Sequence, residues 1–293
     1  MGAMTAADHQ SASRLETTAD RAAAVRHDPA ERDERVEPHR VVATWVGGPT
    51  LHLAYAGVTF LTDPTFDEAP AEYAGPVTLR KLVGPAVPAA ALGPVDVVLL
   101  SHDQHADNLD VAGRAVLAQV PTVLSTTDAA GRVLGVRGLD PWQQVELAEG
   151  VRVTAVPARH GPEGSEAHTG AVVGFVLEAD GWPTTYVSGD NASLDVVDQV
   201  ARRFTQIELA VLFVGAANVG RLKAEPLTLD ARRASAAVDL LAPARVVPVH
   251  HTDWAHFVEP LSALVERLEA GGRRDRLVLL ERGEATSLGG ARP

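Results

Sequence analysis

The chain has 293 residues, 46% hydrophobic and 22% charged, a balance that suits a folded globular protein and argues against wholesale disorder. With no cysteine it has no disulfide, iron–sulfur cluster, cysteine-type zinc site or thiol nucleophile. Its net charge of −12, from 38 acidic and 26 basic residues, disfavours a nucleic-acid partner, because phosphate backbones need a positive surface.

No apolar run approaches the roughly 18–20 residues that span a bilayer. The N-terminus also lacks the basic-then-apolar pattern of a signal peptide. A cytoplasmic enzyme without stable membrane insertion is therefore expected. Residues 1–39 are rich in Ala, Asp, Glu and Arg and poor in apolar residues, with Pro29 and Pro38 as breaks. They read as a mobile arm or a peripheral helix, and 40–293 as one catalytic domain.

From Val41 the pattern changes to short apolar runs. VVATWV, LHLAY and VTFLT, separated by Gly47–Gly48–Pro49 and Ala56–Gly57, predict antiparallel strands joined by tight turns. A Pro/Gly/Ala-rich loop follows to Pro94, with a short helix predicted near 79–83. VDVVLLS (95–101) has the apolar continuity of a buried strand, 109–119 reads as a helix weakened by Gly113, and PTVLST is a further strand. A helix start is predicted near Thr127 and Asp128.

The second half repeats this texture. VRVTAVPA alternates, and 171–190 predicts a hairpin turning at Asp180–Gly181. In 191–204, Val196, Val197, Val200 and Phe204 recur at helical spacing, with Asn191 or Ser193 as cap. LAVLFVG is a buried strand, 228–241 a helix, RVVPVH a strand, and Pro260 suits the first turn of a helix running to about Ala270. RLVLLE is predicted as the last strand. Strands this apolar need cover on both faces, and the expected architecture is α/β: a four-layer αββα sandwich, two mixed sheets face to face with helices outside.

The chemistry gathers where strands stop. SHDQHADN (101–108) places His102, Asp103, His105, Asp107 and Asn108 directly after a buried strand. Such a polar knot is satisfied either by a cation or by its own hydrogen bonds. Three further strand ends deliver His160, Asp190 and the pair His250–His251. Binding sites concentrate beyond such ends, so a shared metal centre is the expectation.

In the order and texture of LTDP (61–64), SHDQHADN (101–108), His160, SGD (188–190) and VPVHH (247–251), the chain resembles the metallo-β-lactamase-fold hydrolases. The closest texture is the branch with ascorbate-lactonase-like and phospholipase-D-like members. The resemblance implies metals in the cleft between the sheet edges: zinc, two ions, with manganese or iron as alternatives. It implies His102, His105 and His160 as ligands of one metal, Asp107 and His250 of the second, and Asp190 bridging both.

The central motif departs from the family's His-x-His-x-Asp-His. Asn108 stands in its last position, which makes the second site weaker or suited to a harder ion, and strict register puts Asp103 rather than His102 in its first. His102 is preferred because imidazole suits zinc and iron; Asp103 stays open. Asp107 and His251 are the implied catalytic residues. Asp107 orients a metal-bound hydroxide and takes its proton, while His251 faces the substrate as an acid or oxyanion donor, or else is a surface histidine. Asp63 resembles an aspartate that braces the metal loop.

Lesser candidates are the wall residues Trp254, His256 and Phe257, the loop residue His168, and the anion-binding residues Asn218, Arg221 and Lys223. His52 reads as a packed strand residue. The function implied is hydrolysis of a small-molecule ester-like bond, lactone or phosphodiester. An iron-dependent oxidoreductase on the same fold is one alternative. The other is a noncatalytic binding protein with a degenerate centre, to which Gln104 and Asn108 point. A homodimer is the expectation for assembly.

Overall fold

The computed structural model describes residues 40–221 and 225–290, so the expected N-terminal arm and Lys223 lie outside the described residues. In chain order the first half runs β1 (Arg40–Gly47), β2 (Thr50–Tyr55), β3 (Val58–Thr62), β4 (Ala71–Tyr73), β5 (Leu79–Lys81), β6 (Val97–Leu99), α1 (Val111–Leu117), β7 (Thr122–Thr126), α2 (Thr127–Ala130) and β8 (Val136–Leu139). The second half runs β9 (Gln144–Glu146), β10 (Arg152–Ala158), α3 (Glu166–Thr169), β11 (Val172–Glu178), β12 (Thr185–Val187), α4 (Leu194–Arg203), β13 (Leu209–Phe213), α5 (Ala231–Leu241), β14 (Arg245–Val249), α6 (Leu261–Ala270) and β15 (Ala285–Gly290).

Two mixed sheets result. One is seven-stranded, in the order β15-β1-β2-β3-β6-β7-β8, and the other six-stranded, β14-β13-β12-β11-β10-β9. Their facing sides share one apolar core. Ala43, Leu51, Leu53 and Phe60 of the first sheet meet Val153, Phe175, Val211 and Phe213 of the second. The outer faces carry the helices. Leu109 and Leu117 cover Val98 and Leu100, while Val197, Val200, Ala234, Val238 and Leu264 cover Val176, Ala210 and Leu212. This is the expected αββα sandwich, and the two-sided burial explains why β6 and β13 are apolar throughout.

Topology places the site. β3 runs parallel to β6, and β12, β13 and β14 run parallel to one another. Parallel neighbours end on the same side, so the segments after β3, β6, β12 and β14 emerge at one edge. Gly113 sits in α1 where a Cβ would collide with the carbonyl of Pro64, so only glycine lets that helix pack beneath the loop after β3. Asp110 caps α1 through the amide of Gly113 and also accepts from the amides of Phe66 and Asp67. The buried Lys81 completes its coordination at 2.9 Å.

Two local expectations are corrected. The predicted helix at 79–83 is strand β5, which pairs with β4 to form a hairpin. RLVLLE is not the closing strand. Leu277 makes an isolated bridge to Val246, and the sheet is closed by β15, paired antiparallel to β1. Among the described residues, no helix is long and apolar enough to cross a membrane.

Candidate metal centre

The loop 101–108 is held from both ends of its approach. Asp63, buried after β3, accepts the amide of Ser101 at 2.6 Å on Oδ1 and the Asn108 side-chain N–H at 3.2 Å on Oδ2. Burial lifts the Asp63 pKa to about 7 although the Ser101 amide pulls it down. The Ser101 carbonyl accepts the amide of Val173, which ties the loop to the second sheet. Gly189 closes the same seam: it has a φ of +56°, and a Cβ there would lie 2.7 Å from the Val173 carbonyl and 2.9 Å from Ser101 Cβ.

His102 and Asp103 take different partners. Asp103 is gripped by Arg132 through Nε at 3.0 Å and Nη2 at 2.6 Å, and Arg114 donates to its carbonyl. His102 turns inward, fully buried, with Nδ1 on Ser101 Oγ and Nε2 2.7 Å from His105 Nδ1. His160 Nε2 lies 3.2 Å from the same His105 nitrogen, while its Nδ1 donates to the carbonyl of Leu227 at 2.8 Å. That bond fixes the tautomer, leaving a lone pair on Nε2.

Asp190 Oδ2 sits 3.4 Å from His160 Nε2 and makes no hydrogen bond among the described residues. His102, His105, His160 and Asp190 thus offer ligand atoms that all lie within 4.8 Å of one another. Burial, and then His105, hold His102 well below the usual histidine range, and burial with His160 lowers His105. Neutral imidazoles turned nitrogen to nitrogen are a donor set that suits a borderline cation.

A second group, Asp107, Asp190 and His250, meets the same distance limit. His250 Nε2 is 3.3 Å from Asp190 Oδ1 and 3.5 Å from Asp107 Oδ2. Burial works against charge on His250, yet Asp190 and Asp107 outweigh it and raise its pKa to about 10. Burial likewise opposes charge on Asp107 and Asp190, but the facing histidines prevail and hold both carboxyls well below their usual range. Buried polar atoms need partners, and among the described residues Asp107 Oδ1, Asp190 Oδ2 and both His250 nitrogens have no hydrogen bond. The residues fit a pair of divalent cations sharing Asp190.

Asn108 lies beside both groups. Its amide donates to Asp63, to Ser101 Oγ and to Asp190 Oδ1 at 3.3 Å, so it braces two carboxylates. Gln104 is exposed and faces the cleft.

A cavity of about 370 Å³ opens over the cluster, lined by the tip of the β4–β5 hairpin, by Gln104, His105, Asp107 and His160, and at the rim by His168, Arg221 and His256. His251, expected to face the substrate, does not line it. Its ring packs on Trp45 at 5.1 Å, and burial with the adjacent His250 pushes its pKa down to about 4. The reason is backbone: His250 has a φ of +56°, which turns the chain so that its neighbour points away. The histidine that reaches the cleft is His256, whose Nε2 is 2.9 Å from Asp107 Oδ2. Trp254 lies behind it, buried against Tyr73 and Lys81, and Phe257 stands between His250 and His256. Asn218 folds back on the amide of Gly220, and His52 stays on its strand, away from the centre. Nothing in the sequence separates His251 from His256; only the HTDWAHF spacing places both near the ligand His250.

Residues 58–251 match the model of the beta-lactamase superfamily domain. A metal-dependent hydrolase of Pyrococcus abyssi is 27% identical over 199 residues, covering 66% of this chain and 82% of the relative. An uncharacterized protein of Mycobacterium tuberculosis is 27% identical over 256 residues, covering 84% and 68%. The solved isothiocyanate hydrolase from Delia radicum gut bacteria superposes with a TM-score of 0.73 at 24% identity, over 86% of this chain and 100% of that one. A diiron β-hydroxylase from Streptomyces venezuelae superposes at 0.60 and 19% identity, over 86% and 55%.

Proposed function

The chain belongs to the beta-lactamase superfamily and is a metal-dependent hydrolase of it; we propose that it holds two divalent ions and opens an uncharged ester-like bond, a lactone or small ester, in a compact apolar substrate. The carrying observation is the cleft: about 370 Å³, walled by Ala74, Pro76, Val77 and Leu79, with Arg221 its one cationic lining residue among those described. The apolar wall, with one cationic residue in the lining, suits the uncharged body of a lactone better than an anionic diester.

His102, His105 and His160 would hold the first ion and Asp107 and His250 the second, with Asp190 available to both. Bound divalent cations supply Lewis acidity, which makes water acidic and polarises an acyl oxygen. The chain's own groups do the rest. Asp107 Oδ1, buried and without a hydrogen bond among the described residues, is available to orient a water and accept its proton. The hairpin tip excludes bulk water and sets the size limit. Arg221, exposed at the rim, suits the carboxylate that lactone opening creates.

The test is a substrate panel on protein loaded with zinc or manganese: aliphatic and aryl lactones, bis(p-nitrophenyl) phosphate and an aryl isothiocyanate. Lactones are expected to show the highest kcat/KM, with Arg221→Ala weakening inhibition by the hydroxy-acid product. Preferred turnover of the phosphodiester or the isothiocyanate would overturn the ester assignment. Metal analysis on protein purified without added metal separates zinc or manganese from an iron centre.

A further inference from the structure

The two ligand groups are unequal. The first collects three imidazoles and a carboxylate, the second two carboxylates and one imidazole. Asn108 does not supply a nitrogen: its N–H groups point at Asp63 and Asp190, and its buried Oδ1, without a hydrogen bond among the described residues, offers only an oxygen. We infer that His256 is the missing nitrogen ligand of the second ion, reaching it from the cavity side of Asp107. The inference rests on the two-ion reading above.

Three observations carry it. His256 Nε2 is already 2.9 Å from Asp107 Oδ2, the oxygen that faces His250 Nε2 at 3.5 Å. The imidazole is nearly buried, with its side chain 10% exposed, although the chain around it belongs to a loop, and it lines the cavity over the centre. Its Nδ1 has no hydrogen-bond partner among the described residues, so no competing contact turns the ring away from Asp107.

The loop is built to hold the ring there. Asp253 has a φ of +81°, and its carboxylate accepts the Gly48 amide at 2.8 Å and Arg282 Nη1 at 2.8 Å. Trp254 bridges Lys81 on β5, and Phe257 bridges Ala217, so the backbone is pinned on either side of residue 256. The His256 carbonyl accepts the Asn218 amide at 2.9 Å. Phe257 also packs edge-on against His250 at 4.7 Å, coupling the positions of the two imidazoles. So much fixation of one loop histidine fits a ligand better than a bystander.

The alternative is that His256 only steadies Asp107 by hydrogen bonding, and loss of affinity alone does not distinguish the two, since removing a steadying partner costs about 10–100-fold in metal binding. The chain's lack of cysteine provides a clean readout. His256→Cys in the full-length protein, titrated with Co²⁺, is expected to develop a near-ultraviolet thiolate-to-cobalt charge-transfer band on filling the second site only. Wild type shows none. His256→Ala is expected to keep one equivalent at wild-type affinity and to weaken the second by at least about 100-fold. Two equivalents bound to His256→Cys without that band, or His256→Ala retaining both at wild-type affinity, would overturn the assignment. Circular dichroism on each variant guards against misfolding, and His256→Gln serves if either fails to fold, with the same loss of the second equivalent expected and its retention overturning the inference. Wild-type protein that binds no cobalt would instead refute the metal reading itself.

Discussion

The two ligand groups differ in how firmly the protein supports them. In the first, His160 and His102 each spend their Nδ1 on the protein, on the Leu227 carbonyl and Ser101 Oγ, and so present Nε2 with a settled orientation. In the second, both nitrogens of His250 lack hydrogen bonds among the described residues, and position comes instead from carboxylates and from packing against Phe213 and Phe257. Outer hydrogen bonds orient ligands before an ion arrives. In the two-ion reading the first group is therefore the more preorganised, and the second, where His250 has no outer hydrogen bond among the described residues, is more tolerant of a harder ion.

The variant that breaks this comparison most completely is Asp190→Asn, since Asp190 belongs to both groups. Both ions are expected to be lost and activity to fall by well over about 100-fold, beyond what a supporting residue costs; elemental analysis after gel filtration checks it. His160→Ala comes next and strikes the first group alone. It is expected to remove one equivalent, to cut activity by at least about 100-fold, and to leave the circular dichroism near wild type. Unchanged metal content and turnover would show that the ligand set is wrong.

Asp63→Asn sharpens the comparison at a lower level. Asp63 touches no proposed metal position but holds the Ser101 amide and Asn108. A drop in metal affinity of about 10–100-fold is expected, larger at the first site, read by competition with a chelator. The smallest effect on the centre belongs to Arg132→Met. Metal content is expected to stay at wild-type level while stability falls by about 1–3 kcal/mol, because the buried Asp103 loses a two-pronged partner. Loss of an ion in that variant would reopen Asp103 as a ligand.

Much of this was legible before any coordinates. Gly47–Gly48–Pro49 and Ala56–Gly57 mark the turns that make β1, β2 and β3 a meander. His102, His105, His160, Asp190 and His250 all follow apolar runs whose strands end at one edge. The strand β5 was not legible, because Leu79–Lys81 is extended only by pairing with β4. β15, with the weakly apolar ATSLGG, was hidden for the same reason: its partner β1 lies more than two hundred residues away in the chain. RLVLLE has the better strand composition and still makes only an isolated bridge. Propensity reports how well a segment suits a sheet, and a free edge decides whether it joins one.

The order of strands and helices, the two-sided burial of β6 and β13 and the residue types at the strand ends were determined by the sequence itself, since hydrophobic period and turn chemistry act over a few neighbours. Which member of each close pair enters the cleft was decided only by tertiary structure. Arg132 takes Asp103 and leaves His102 to the centre; a left-handed His250 turns His251 onto Trp45 and lets His256 reach Asp107. Those choices depend on partners distant in the chain and on backbone angles enforced by packing, neither of which is written in local spacing.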